Sequence, residues 1–131
     1  MIEIYTDGAY SSSRNQGGWA FVVVQDGIKI HHSFFPEKDT TNNRMEMQAV
    51  IEACLWTKEK QVSKITIFCD SMYVIGTMTK NWKRNKNVDL WAKMDLAVTN
   101  LDITWTHIKG HSKNKYNDLC DILAVTASHA T

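Results

Sequence analysis

Two segments far apart in this chain close in the same way. Residues 1–8, Met-Ile-Glu-Ile-Tyr-Thr-Asp-Gly, and residues 64–71, Lys-Ile-Thr-Ile-Phe-Cys-Asp-Ser, are each a short run of β-formers followed by an aspartate and a small residue. Gly8 leaves the backbone free to turn straight after Asp7. Parallel neighbours in an open α/β sheet bring their carboxyl ends to one crevice, where such sheets bind ligands. Paired side by side, the two strands would set Asp7 against Asp70. Two carboxylates in a partly dry crevice repel unless one keeps a proton or a cation lies between them. Each Asp alone is better explained as the cap of the turn or helix that follows. The matched pair points to a site.

The intervening sequence supplies the rest of a sheet. A polar loop, Tyr10 to Gly18, leads to a strand over residues 19–25, and Asp26-Gly27 is the preferred two-residue hairpin turn before an antiparallel return from Ile28 to about Phe35. Strict alternation groups Lys29, His31 and Ser33 on one face and Ile28, Ile30, His32 and Phe34 on the other. His31 and His32 therefore point apart, as in an edge strand with polar decoration rather than a metal site. From Arg44 to about Lys60, Met47, Val50, Ile51, Cys54 and Leu55 recur at helical spacing. Glu46 shares a face with Ala49, Val50 and Ala53 and should look toward the sheet as a third acid. Asn43 followed by Glu46 also fits a capping box. A helix between the two Asp strands makes a crossover, which favours their parallel pairing.

Beyond Asp70 the pattern predicts a short helix from Ser71 to about Met78. A second runs from Val88 to about Thr99, capped by Asn87, with Leu90, Trp91, Met94 and Val98 in the core. A fifth strand covers residues 103–108, and a last helix begins near Asn117. In that helix Asp121 shares a face with Ala124 and Val125 and should be turned partly inward, whereas Asp118 is a dipole-favourable residue of the first turn.

With 131 residues, 44% hydrophobic and 22% charged, the chain suits one soluble domain spanning residues 1–131. A net charge of +1 supplies no global attraction to a polyanion, so any must be local. The local candidate is Lys80-Asn-Trp-Lys-Arg-Asn-Lys-Asn87, where four cations surround Trp82. The mixture suits a phosphate backbone, and equally a solvated loop with its tryptophan tucked into the core. Cys54, Cys69 and Cys120 are odd in number, lie in apolar segments and lack metal-ligand spacing, as in a reducing compartment. Without a secretory leader or a bilayer-spanning run, a cytoplasmic monomer away from membranes is the expectation.

Four pieces then stand in order: Thr-Asp-Gly-Ala (6–9), Thr-Thr-Asn-Asn-Arg-Met-Glu-Met (40–47), Cys-Asp-Ser-Met-Tyr-Val (69–74), and Lys-Gly-His (109–111) followed ten residues later by Asp121. The ordered set, with Asn-Val-Asp-Leu-Trp at 87–91, resembles type 1 ribonuclease H over nearly the whole chain. The resemblance implies the ribonuclease H-like α/β fold: a five-stranded mixed sheet, three antiparallel strands then two parallel to the first, flanked by helices. It implies an endonuclease that hydrolyses the RNA strand of RNA/DNA hybrids, leaving 3′-hydroxyl and 5′-phosphate ends. The family's carboxylate tetrad falls on Asp7, Glu46, Asp70 and Asp121, and its loop histidine on His111. Two Mg²⁺ ions, with Mn²⁺ a possible substitute, would serve both ends of an in-line displacement. Asp7 would bridge them, Glu46 and Asp70 would hold one and Asp121 the other, and His111 would move a proton or aid product release. Hybrid contacts would come from Thr41, Asn42 and Asn43, from the first loop around Ser12, and from Trp82, Lys83 and Arg84.

The chain departs from the family in three places. The first loop reads Ser-Ser-Ser-Arg-Asn-Gln where relatives are often rich in Gly and Pro, Asp39 lies where some carry a cation, and the Trp82 segment runs almost directly into Asn87 without the long basic protrusion of many bacterial relatives. Two other readings compete. A non-catalytic nucleic-acid-binding module gives no reason to set four carboxylates beside a polyanion. An aspartyl-phosphate enzyme wants another carboxylate near the first, whereas Gly8 and Ala9 follow Asp7.

Overall fold

Asp26 and Gly27 both take left-handed backbone conformations, with φ of 52° and 82°. That is the geometry whose twist matches a right-handed antiparallel ribbon. The turn joins β2 (Gln16–Gln25) to β3 (Ile28–Lys38), and β1 (Ile2–Ser11) pairs with the other side of β2. The chain continues through α1 (Asn42–Glu59), β4 (Lys64–Cys69), α2 (Met72–Lys80), α3 (Val88–Val98), β5 (Asp102–His107) and α4 (Lys115–Ser128). These come from a computed structural model that describes residues 1–109 and 113–131. The sheet order is β3-β2-β1-β4-β5, antiparallel across β1, β2 and β3, with β4 and β5 parallel to β1. This is the mixed sheet expected. No helix among the described residues is long and apolar enough to cross a membrane.

Alternation along the central strands divides the interior in two. Ile2, Ile4, Trp19, Phe21 and Val23 face α1 and α3, while Tyr5, Ala20, Val22 and Val24 face α4 with Cys120 and Ala124. α1 is buried on a wide stripe because it packs on both the sheet and α3. Leu55 falls outside that stripe and is 47% exposed, contrary to the core position its spacing predicts. All three cysteines are buried and free.

Several boundaries differ from the sequence reading. β1 does not stop at Asp7: it runs to Ser11, because β2 begins at Gln16 and offers partners through Ser11↔Gln16. The polar loop shrinks to a tight turn at residues 12–15, with Asn15 left-handed at φ 45°. Asp7 therefore sits in mid-strand opposite Ala20, while β4 does end beside it, at Cys69 opposite Thr6. α1 starts at Asn42, capped by Thr41, whose Oγ1 accepts from the Arg44 N–H at 3.2 Å. Asn43 is thus inside the first turn and Glu46 takes no part in a capping box. α4 starts at Lys115 rather than near Asn117, because Asn114 supplies its cap. In β3 the register shifts so that His31 opposes Val23 and Lys29 opposes Val24. The extra residue, Ile30, moves Lys29 to the face of His32, whose Nδ1 lies 2.6 Å from Lys29 Nζ. His31 stacks on Trp56 on the other face. The two histidines do point apart, in an edge strand.

α1 approaches β1 most closely at Gly8. A Cβ there would lie 2.4 Å from the Glu46 backbone nitrogen and 2.5 Å from the Met45 carbonyl carbon. Those are backbone atoms that no rotamer change can move. Gly8→Ala should lower the unfolding free energy by about 2 kcal/mol, as overpacking does. Urea denaturation checks this, and a variant as stable as the wild type would show that the helix does not rest on the strand here.

Candidate active site

Three elements meet over Gly8. Asp7 comes from the middle of β1, Asp70 follows the last residue of β4, and Glu46 hangs from the first turns of α1, brought down by the missing Cβ at Gly8. One oxygen from each carboxylate lies within 4.8 Å of the others. Asp7 is 4% and Glu46 7% exposed. Asp7 Oδ1 accepts the Gly8 N–H at 2.8 Å. Glu46 Oε1 and Asp70 Oδ1 are buried and lack a hydrogen-bond partner among the described residues. Asp70 is further fixed through its backbone, whose carbonyl oxygen lies 3.2 Å from His107 Nε2.

Burial and crowding shift the protonation of these acids. Loss of water raises the Asp7 pKa to about 8, helped by the Asp70 charge and by the side chain of Asp121, against a smaller lowering by the Gly8 N–H. Burial also pushes Glu46 well above the usual carboxylate range, with the charges of Asp7 and Asp70 acting in the same direction. A divalent cation fits this arrangement: hard oxygen donors converge, and two of them are buried without a partner.

Asp121 lies beside Asp7 but is exposed rather than turned inward, and it falls outside the close trio. Its place on α4, at the open rim of the cluster, accounts for the difference. Thr41, Asn42 and Asn43 form the exposed start of α1, and Ser12 is exposed in the turn after β1. Trp82 lies over Gly76 of α2, where a Cβ would come within 2.4 Å of its ring, and still exposes 43% of its surface. It is half tucked in, half open. Lys83 is exposed, whereas Arg84 turns inward, 2.7 Å from Asp95 and 5.0 Å above the Trp91 ring. Asp39 accepts from Asn15 Nδ2 at 2.8 Å, tying the first turn to the end of β3. His111 lies outside the described residues. Sequence reasoning missed His107, though the parallel register of β4 and β5 would have set it level with Cys69.

The sheet order and the buried acids at its centre define a hydrolase of phosphodiester bonds with the ribonuclease H-like fold. Residues 1–129 match the RNase H family. A ribonuclease H from a Thermoanaerobacter species is 41% identical over 138 residues, covering 95% of this chain and 87% of that relative. Among solved structures, the RNase H1 of the halophilic archaeon Halobacterium salinarum superposes with a TM-score of 0.82 at 26% identity, covering 96% of each chain. LC11-RNase H1, solved in complex with an RNA/DNA hybrid, gives a TM-score of 0.84 at 22% identity, covering 97% of this chain and 96% of that one. The chain belongs to the ribonuclease H family.

The raised acids set a pH dependence for the metal-free protein. Between the ordinary carboxylate range and about pH 8 the folded Asp7 holds a proton that the unfolded chain has lost. Its contribution to stability therefore falls as pH rises through that window and levels off above it. In chelator at pH 8, Asp7→Asn should be about 2 kcal/mol more stable than the wild type, an advantage that shrinks toward pH 4. Thermal unfolding across that range checks the sign, and an Asn variant less stable at pH 8 would contradict it.

Proposed function

We propose that this chain is an endonuclease that hydrolyses the RNA strand of RNA/DNA hybrids with divalent cations, leaving 3′-hydroxyl and 5′-phosphate ends. The observation that carries the reading is the trio of converging carboxylates, two of them buried and the third half-buried, with two oxygens unpartnered among the described residues. Membership of the family supports it, as does a structural neighbour solved on such a hybrid. Two Mg²⁺ ions, or Mn²⁺ in their place, would supply Lewis-acid stabilisation of the leaving oxygen and a water of lowered pKa. Asp7, which feels both Asp70 and Asp121, would be shared between them. Glu46 and Asp70 would complete one position and Asp121 the other.

The remaining residues orient substrate and move protons. Asn42 and Asn43, exposed at the start of α1, would offer side-chain amides to 2′-hydroxyl groups, the feature that separates RNA from DNA. Thr41 and the turn at Ser12 present polar groups to the backbone of the hybrid. Trp82 and Lys83 offer a stacking face and a free cation, while Arg84 mainly holds its loop through Asp95. His111, by its place in the Lys-Gly-His segment, would transfer a proton or help the product leave.

Labelled RNA presented in hybrid, single-stranded and duplex forms tests the reading. With Mg²⁺ only the RNA of the hybrid should be cut, and chelator should stop the reaction. Asp7→Asn should still bind hybrid but cleave at least about a thousandfold more slowly. Substantial turnover by that variant, or cleavage that persists in chelator, would reject the assignment. Binding of uncut hybrid by the wild type would favour a non-catalytic module.

A further inference from the structure

Tyr5 precedes Asp7 by two residues on β1, so strand alternation sends both side chains toward α4. The Tyr5 ring is 5% exposed and lies flat on Phe68, with centroids 4.8 Å apart and an interplanar angle of 13°. Its hydroxyl oxygen accepts a hydrogen bond from Asn114 Nδ2 at 3.1 Å. Asn114 is also the N-cap of α4: its Oδ1 accepts from the backbone N–H of Tyr116 at 2.9 Å and of Asn117 at 3.1 Å. A single amide thus grips the helix with its oxygen and the strand with its nitrogen.

The consequence lies two turns further along α4. Seven residues at 100° each bring Asp121 back to the stripe that carries Asn114, and there it meets Asp7. Between the two contacts the Cys120 thiol donates toward the carbonyls of Tyr5 and Ala20, at 3.4 and 3.3 Å. Strand and helix are therefore tied at Asn114 and again at Cys120, the residue before Asp121. The Asp7 and Asp121 carboxylates supply no attraction between them when both are charged, so those ties hold the helix in place. A phenylalanine at position 5 would fill the same space against Phe68 without holding the helix.

We propose that Tyr5 and Asn114 are positioning residues that set the carboxylate of Asp121 against Asp7 for divalent-cation binding. The inference rests on the metal-dependent reading above. Neither residue touches the substrate: both act through the placement of α4.

Three substitutions isolate the contact. Tyr5→Phe keeps the ring stack and removes only the hydroxyl. Asn114→Ser keeps a capping oxygen but is too short to reach Tyr5, and Asn114→Asp keeps the cap while its second oxygen can accept the Tyr5 O–H. Two readouts are needed, kcat and KM on an RNA/DNA hybrid with Mg²⁺, and direct calorimetric titration of each protein with Mg²⁺ alone. Tyr5→Phe and Asn114→Ser should each lower kcat about fivefold with KM unchanged and weaken Mg²⁺ binding by a similar factor, the scale of one neutral hydrogen bond. Their combination should be no worse than either alone, and Asn114→Asp should regain most of the loss. Variants that melt earlier yet keep wild-type kcat and Mg²⁺ affinity would overturn the proposal, as would effects that multiply in the double variant. If the wild type does not cut hybrid, the ribonuclease reading fails, and the Mg²⁺ titration still decides the positioning role.

Discussion

Asp7, Glu46 and Asp70 crowd one oxygen each within 4.8 Å, in a place with little water to screen their charge. No fold gains stability from that arrangement by itself. Burial and mutual repulsion hold Asp7 and Glu46 protonated above the ordinary range, and Glu46 Oε1 and Asp70 Oδ1 are left without donors among the described residues. A cation would supply what the surrounding side chains do not. The rest of the molecule can be understood as the frame that keeps the acids together: a central strand through Asp7, a parallel neighbour ending at Asp70, and a helix lowered onto Gly8 so that Glu46 reaches both.

The frame is stiff where the acids need it and closed by separate ties elsewhere. Thr41 caps α1 just ahead of Glu46, and Arg44 in the same turn makes a two-pronged bond to Asp89 of α3, at 3.0 and 2.7 Å. Asn87 joins that group, accepting from Arg44 at 3.2 Å and donating to the Tyr73 hydroxyl at 3.0 Å. The start of α1, which carries Asn42, Asn43 and Glu46, is thereby locked to α2 and α3. On the opposite face α4 is held through Asn114 and Cys120 to β1. Arg44 and Arg84 are both committed to aspartates, so their charges serve this bracing of the helices.

Much of this was legible in the residues. The repeated strand-Asp pattern gave the pairing of β1 with β4, because a crossover helix leaves parallel pairing as the favoured option, and the face shared by Glu46, Ala49, Val50 and Ala53 pointed correctly at the sheet. What stayed hidden depends on partners distant in sequence. The extension of β1 past Asp7 is set by where β2 begins to pair, not by the propensities of Tyr10 and Ser11. The bulge at Ile30 breaks an alternation that looked regular. Leu55 has core spacing on α1 yet lies where no element covers it, and Asp121 meets Asp7 from the exposed rim of α4 rather than from its buried stripe. The bond from Asn114 to Tyr5 joins residues 109 positions apart, which no local pattern records.

The most direct test of the central claim is the number of protons released when the protein takes up Mg²⁺, measured by calorimetry in buffers of different ionisation enthalpy. Acids held protonated by burial and crowding must give up protons to become ligands. Near pH 7 saturation with Mg²⁺ should release about one proton per chain or more, and the number should fall as pH rises through about 8, where Asp7 ionises without the metal. Mg²⁺ uptake with no proton release at pH 7, or no uptake at all, would contradict the account.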